Sequence, residues 1–235
     1  MSFQDIGLLL VEELILEVGM EVLDKMEVKR LIPDKTLIIV VDVQYDFIST
    51  EGFGAKTWNH EVFHLDKIVE KIKVFLEEMK SNNIDIIYTK TIYDPDKISI
   101  ALKTKLKSFV GQYLAPNSKG IEFYKLNPPE EKIFVKYGFS AFTNKDLVEY
   151  IKNKEFENVM LVGFNTNLCV ESTARDAVDF GLNTYIVQDL TGTPTFLQNH
   201  EKESLFTFNL IFGKVINSNQ LKLVRLLEVK EDGMR

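Results

Sequence analysis

The stretch "NVMLVGFNTNLCVESTARDAVDFG", residues 158–181, changes character halfway along. Its first seven residues, "NVMLVGF", form an apolar run without polar alternation, as expected of a strand covered on both faces. From Cys169 onward, "CVESTARDAVDFG" has helical period instead. A buried strand passing through a short turn into a helix is the start of a βαβ unit, and the chain places its single cysteine at that junction.

The same alternation extends in both directions. Strand-like runs are "TLIIVVDV" (36–43), "IDIIYTKT" (84–91), "KIFVKY" (132–137), "NTYIVQD" (183–189) and "KVIN" (214–217). Segments of helical period cover 62–83, 144–154, 169–181 and 199–213. Strands alternating with helices predict parallel βαβ units with right-handed crossovers, hence a three-layer α/β/α sandwich around a mostly parallel, six-stranded Rossmann-like sheet. Between Thr91 and Pro129 the pattern weakens, and Pro95, Pro116, Pro128 and Pro129 suggest loops around one modest helix near 97–110. With no repeat, low-complexity tract or linker, residues 34–235 read as one domain.

Residues 1–33 read as an N-terminal helical extension. In "DIGLLLVEELILEVGMEVL" (5–23), Glu12, Glu13, Glu17 and Glu21 argue against both a secretory segment and a membrane span. Leu8, Val11, Ile15, Val18, Val22 and Met26 share one helical stripe, so the helix is amphipathic and needs a partner surface, either its own domain or another subunit.

The 235-residue chain is 45% hydrophobic, enough for a continuous core, and its net charge of −7 is spread without long runs of one sign. Neither nucleic acid nor an anionic membrane is expected as a partner. One cysteine permits no internal disulfide, which predicts a cytoplasmic protein.

In an open parallel sheet, chemistry gathers beyond the carboxyl ends of the strands. Three such ends carry reactive groups: Asp42 in "DVQYDF", Lys136 in "FVKYGFSAF", and Cys169. Taken singly, they also read as a turn aspartate, a solvated lysine and a small buried hydrophobe. Taken together, they make a nucleophilic site in which Asp42 accepts the thiol proton and Lys136 balances the charge. Thr166 or Asn167 capping the next helix would put the sulfur in its first turn, where the dipole lowers a thiol pKa.

The segments "DVQYDF", "KYGFSAF" and "VGFNTNLCVESTARDA…FGLNTYIVQD" resemble, in this order, the signature segments of the isochorismatase-like cysteine hydrolase superfamily, which includes nicotinamidases and N-carbamoylsarcosine amidase. The resemblance spans about residues 35–225 and implies an Asp42, Lys136, Cys169 triad. It also implies a cis peptide between Phe164 and Asn165, with the backbone N–H groups of Asn165 and Cys169 forming an oxyanion hole. The reaction implied is hydrolysis of a C–N bond in a small amide, imide or ureido compound through a thioester.

Nicotinamidases of this family carry a metal site in a D-x-H segment, where this chain reads "TKTIYDPDKISIAL" (89–102), with Asp94 and Asp96 but no histidine between His64 and His200. His60 and His64 share helical spacing, and a solvated or packing role is the expectation for both. No metal and no cofactor are therefore expected. Candidate pocket walls are Phe47, Trp58, Tyr137, Phe142 and Phe164, with Gln44 as a candidate for orienting the site by hydrogen bonding. Loops 48–60 and 92–128, and neighbouring subunits, are expected to shape the pocket, and a homodimer or homotetramer is expected. Two other readings stay open: an isochorismatase-type hydrolase of another small metabolite, and a binding or scaffold protein that keeps the fold without turnover.

Overall fold

The β-branched runs form six strands: β1 (Thr36–Val41), β2 (Asp85–Thr91), β3 (Ile133–Lys136), β4 (Asn158–Phe164), β5 (Asn183–Gly192) and β6 (Lys214–Ile216). The computed structural model describes residues 31–58 and 61–221, with Trp58 described by its backbone alone. The N-terminal amphipathic helix, His60 and the Trp58 side chain lie outside what is described. All neighbouring strands pair in parallel, in the order β3-β2-β1-β4-β5-β6. β1 and β4, central in that order, are buried at every residue, which is why they lack polar alternation.

The helices are α1 (Tyr45–Ile48), α2 (Phe53–Trp58), α3 (Phe63–Ser81), α4 (Ile100–Leu106), α5 (Lys145–Lys154), α6 (Glu171–Asp179) and α7 (Gln198–Ile211). Side chains alternate along a strand, and Leu37, Ile39 and Val41 of β1 meet Leu147 and Ile151 of α5, Ala174 and Ala177 of α6, and Phe208 of α7 in one core. α3 packs on β2, β4 and β5 with a buried stripe of Leu65, Val69, Ile72, Leu76 and Met79. Among the described residues, no helix is long and apolar enough to cross a membrane.

The helix expected over 97–110 shortens to α4. Ser99 starts it by accepting a hydrogen bond from the Leu102 N–H, and Lys107, at φ 46°, ends it in a conformation no helix continues.

The strand order reverses between β1 and β4, and there the backbones approach closely. Gly163 has φ 114°, and a Cβ on it would stand 2.1 Å from the Val41 carbonyl oxygen. Only glycine suits both the conformation and the space. That contact brings the end of β4 beside Asp42, the residue after β1.

Candidate active site

Asp42 takes a left-handed backbone conformation, φ 48°, which aspartate tolerates better than most residues. Its carboxylate is held from three sides. Thr89 Oγ1 donates to Oδ1 at 2.7 Å, Thr91 Oγ1 donates to Oδ2 at 2.8 Å, and Lys136 Nζ donates to Oδ2 at 2.7 Å. Lys136 Nζ also donates to Thr91 Oγ1 at 2.5 Å and to the Gly138 carbonyl at 3.0 Å. The ion pair is wholly buried. Lys136 lies in register with Thr91 on β2, so Thr91 bridges Lys136 to Asp42 while Thr89, on the same face of the intervening strand, holds the other carboxylate oxygen.

The Cys169 thiol lies close enough to both members of this pair for each to act on its protonation. The structure thus brings together the three residues expected from the strand ends, but it revises how the sulfur is held. Burial pushes the Cys169 thiol up to about 12, with Lys136 pulling the other way and Asp42 adding to the rise. That direction is opposite to the lowering expected from a helix N-terminus and favours the protonated thiol at rest. For Lys136, burial works to lower the pKa, but its interactions with Asp42 and Cys169 outweigh it and leave the ammonium above its ordinary range.

The capping expectation also fails. Thr166–Val170 is a single π-helical turn, with the Leu168 and Val170 N–H groups bonded to the Asn165 carbonyl at 3.1 and 3.2 Å. Thr166 Oγ1 donates instead to Glu201 at 2.5 Å, and Asn167 Oδ1 accepts from Thr193 Oγ1 at 3.0 Å. The peptide bond between Phe164 and Asn165 is cis.

Gln44 is buried and clamps the end of β2: its Nε2 donates to the Thr91 carbonyl at 2.9 Å and its Oε1 accepts from the Thr91 N–H at 2.8 Å. Further on, Asn144 caps α5 and donates to the Val135 carbonyl at 2.7 Å, while Thr173 Oγ1 of α6 accepts from the Ala141 N–H at 3.0 Å. These bonds fix the segment after β3 that carries Lys136.

A cavity of about 240 Å³ opens on Cys169 and Asn165. Of the aromatic residues expected in its wall, Phe47 is there. Tyr137, Phe142 and Phe164 are not among its lining residues. Tyr137 follows Lys136 on an extended strand and so points the other way, where its hydroxyl accepts from Lys97 Nζ at 2.9 Å. Phe142 packs on Phe180 with ring centroids 5.3 Å apart, and Phe164 is fully buried in the core. Tyr93 and Tyr113 take the places in the wall that sequence reasoning missed, and burial raises both hydroxyl pKa values above their ordinary range. Tyr93 lies two residues past β2, a strand-end signal that was legible.

The isochorismatase domain family matches this chain over residues 36–220. The chain belongs to that family. It is 29% identical over 208 residues to the ureidoacrylate amidohydrolase RutB of Agrobacterium fabrum (strain C58), covering 80% of this chain and 88% of that one. Among solved structures, a cysteine hydrolase from Pseudomonas syringae pv. phaseolicola 1448A superposes with a TM-score of 0.74 at 24% identity, covering 83% of this chain and 94% of that one. A pyrazinamidase from Pyrococcus horikoshii in complex with zinc superposes with a TM-score of 0.63 at 22% identity, covering 78% and 99%. These two structures share the fold.

The Asp94 and His64 side chains are held by partners within the chain. Asp94 Oδ1 accepts the Asp96 N–H at 2.9 Å, and its Oδ2 lies 3.7 Å from Lys97 Nζ. His64 Nε2 lies 2.8 Å from the Thr193 carbonyl oxygen. Among the described residues, no three His, Cys, Asp or Glu side chains come together as a metal-binding group.

Proposed function

We propose that the chain is a metal-independent cysteine amidohydrolase that cleaves the C–N bond of a small amide, imide or ureido compound through a thioester. The observation that carries this reading is the buried Asp42–Lys136 pair close enough to the one thiol to act on its protonation, with that thiol lining a cavity. The relatives named for ureidoacrylate, a ureide bearing a carboxylate, support the reaction class.

Because the resting thiol is neutral, the proton leaves as the bond forms. Asp42 takes the Cys169 proton while the sulfur attacks the carbonyl carbon, and Lys136 keeps the pocket's charge balanced as that proton moves. The oxyanion so formed is held by the backbone N–H groups of Asn165 and Cys169. Asp42 returns its proton to the leaving nitrogen, the C–N bond breaks, and ammonia or an amine departs. Water, deprotonated by Asp42, then attacks the thioester and frees the acid and the thiol.

A panel of small amides and ureido compounds, scored for released ammonia and for an acyl adduct on Cys169 by intact mass, tests the reading. The expected result is turnover with a transient adduct. Neither signal from any compound refutes it.

The neutral resting thiol gives a separate expectation. The wild-type minus Cys169→Ala difference in ultraviolet thiolate absorbance stays flat between about pH 6 and 9. A step below about pH 8 means a preformed thiolate. The sign for stability follows: a thiol raised from 9.0 to about 12 on folding contributes stability that is complete below 9.0 and is lost as pH rises toward 12.

Activity is also expected to survive exhaustive chelation with less than about a twofold change, since no step uses a metal ion. Loss on chelation, restored by added zinc, contradicts that part of the reading.

A further inference from the structure

We propose that the cavity selects a neutral carboxamide or ureide with an apolar body and turns away substrates that carry a carboxylate. This inference rests on the amidohydrolase reading and narrows its substrate.

The wall chemistry carries the argument. Around Cys169 stand Phe47, Tyr93, Leu102, Leu106, Tyr113 and Leu197. The apolar lining continues to the mouth, where Phe139, Leu168 and Phe196 are 41%, 38% and 55% exposed, so an apolar ligand would cover surface that water now meets. At about 30 Å³ per water, the cavity's roughly 240 Å³ equals about eight waters, room for a ligand on the order of ten non-hydrogen atoms.

Charge gives the second half. Lys136, the buried cation behind Cys169, is not among the lining residues, is paired with Asp42 at 2.7 Å and has no net charge to offer. Among the described residues, the wall holds one carboxylate, Asp46, whose oxygens accept the Phe53 and Leu114 N–H groups at 2.9 Å each, and one lysine, Lys105, which is exposed on α4. A carboxylate drawn into the cavity would lose its hydration beside Asp46 with no buried cation to replace it, and that desolvation is costly.

Asn165 also lines the cavity; it is 4% exposed, its side-chain Oδ1 is buried without a hydrogen-bond partner, and it adds no charge that could receive a carboxylate.

The test is kcat/KM for ammonia release by the full chain on matched pairs: hexanamide against adipic acid monoamide, and butylurea against 3-ureidopropionate, with ureidoacrylate as a further carboxylated probe. The neutral member of each pair is expected to be favoured by at least about 100-fold. Equal or better turnover of the carboxylated members overturns the proposal. A carboxylate preference that collapses in Lys105→Gln overturns it equally, and places the anion contact on α4. These outcomes leave the amidohydrolase reading standing. If no member of any pair yields ammonia or an acyl adduct on Cys169, that reading fails and this inference falls with it.

Discussion

Cys169→Ala loses ammonia release by at least about 10⁴-fold while its thermal unfolding stays within a few degrees of wild type. The two halves of this expectation have separate causes. Without the sulfur no acyl-enzyme forms, and the remaining groups supply only binding and oxyanion stabilisation. For stability, the substitution removes one small buried atom next to an ion pair that keeps its Thr89, Thr91 and Lys136 contacts. Circular dichroism melting alongside the ammonia assay separates a dead enzyme from an unfolded one. Wild-type turnover in the alanine variant would remove Cys169 from the mechanism.

Lys136→Met gives the second large effect, on stability as well as rate. The methionine is close in length and apolar, so it fills much of the same volume, but it leaves Asp42 charged, buried and without its counter-ion. Breaking a buried pair from one side costs about 3–5 kcal/mol, whereas replacing both partners with neutral groups is often close to neutral. In urea unfolding, the single variant is therefore expected to lose about 3–5 kcal/mol, and the Asp42→Asn/Lys136→Met double variant to recover most of it. Both are expected to be inactive. The recovery ties the loss to an orphaned charge; a double variant as unstable as the single one would point to packing around the lysine stem instead.

Much of this architecture was readable before any coordinates. Runs such as Thr36–Val41 and Asn158–Phe164 are apolar at every position because both faces of the sheet are covered, and that pattern needs only composition and length to recognise. The three strand ends of the site were readable for the same reason. What could not be read was lateral. Thr89 and Thr91 look like ordinary strand residues until β2 is known to lie between the strands of Lys136 and Asp42. The aromatic wall was misjudged because nearness in sequence says nothing about direction: Tyr137 is one residue from Lys136 and faces away from it. The expected lowering of the thiol pKa reckoned with a helix start and not with burial, which acts to raise it. Tyr113, and Leu102 and Leu106 of α4, enter the wall through the 92–128 segment, where periodicity is weakest.

The ammonium of this site hangs from the outermost strand of the sheet, a strand only four residues long, while the sulfur sits at the centre. Marginal strands breathe more readily than central ones. On the proposed mechanism, lifting of that margin would take the counter-ion from the carboxylate and silence the site with nearly all of the core intact, so a change that braces the rim is expected to raise turnover without touching the thiol.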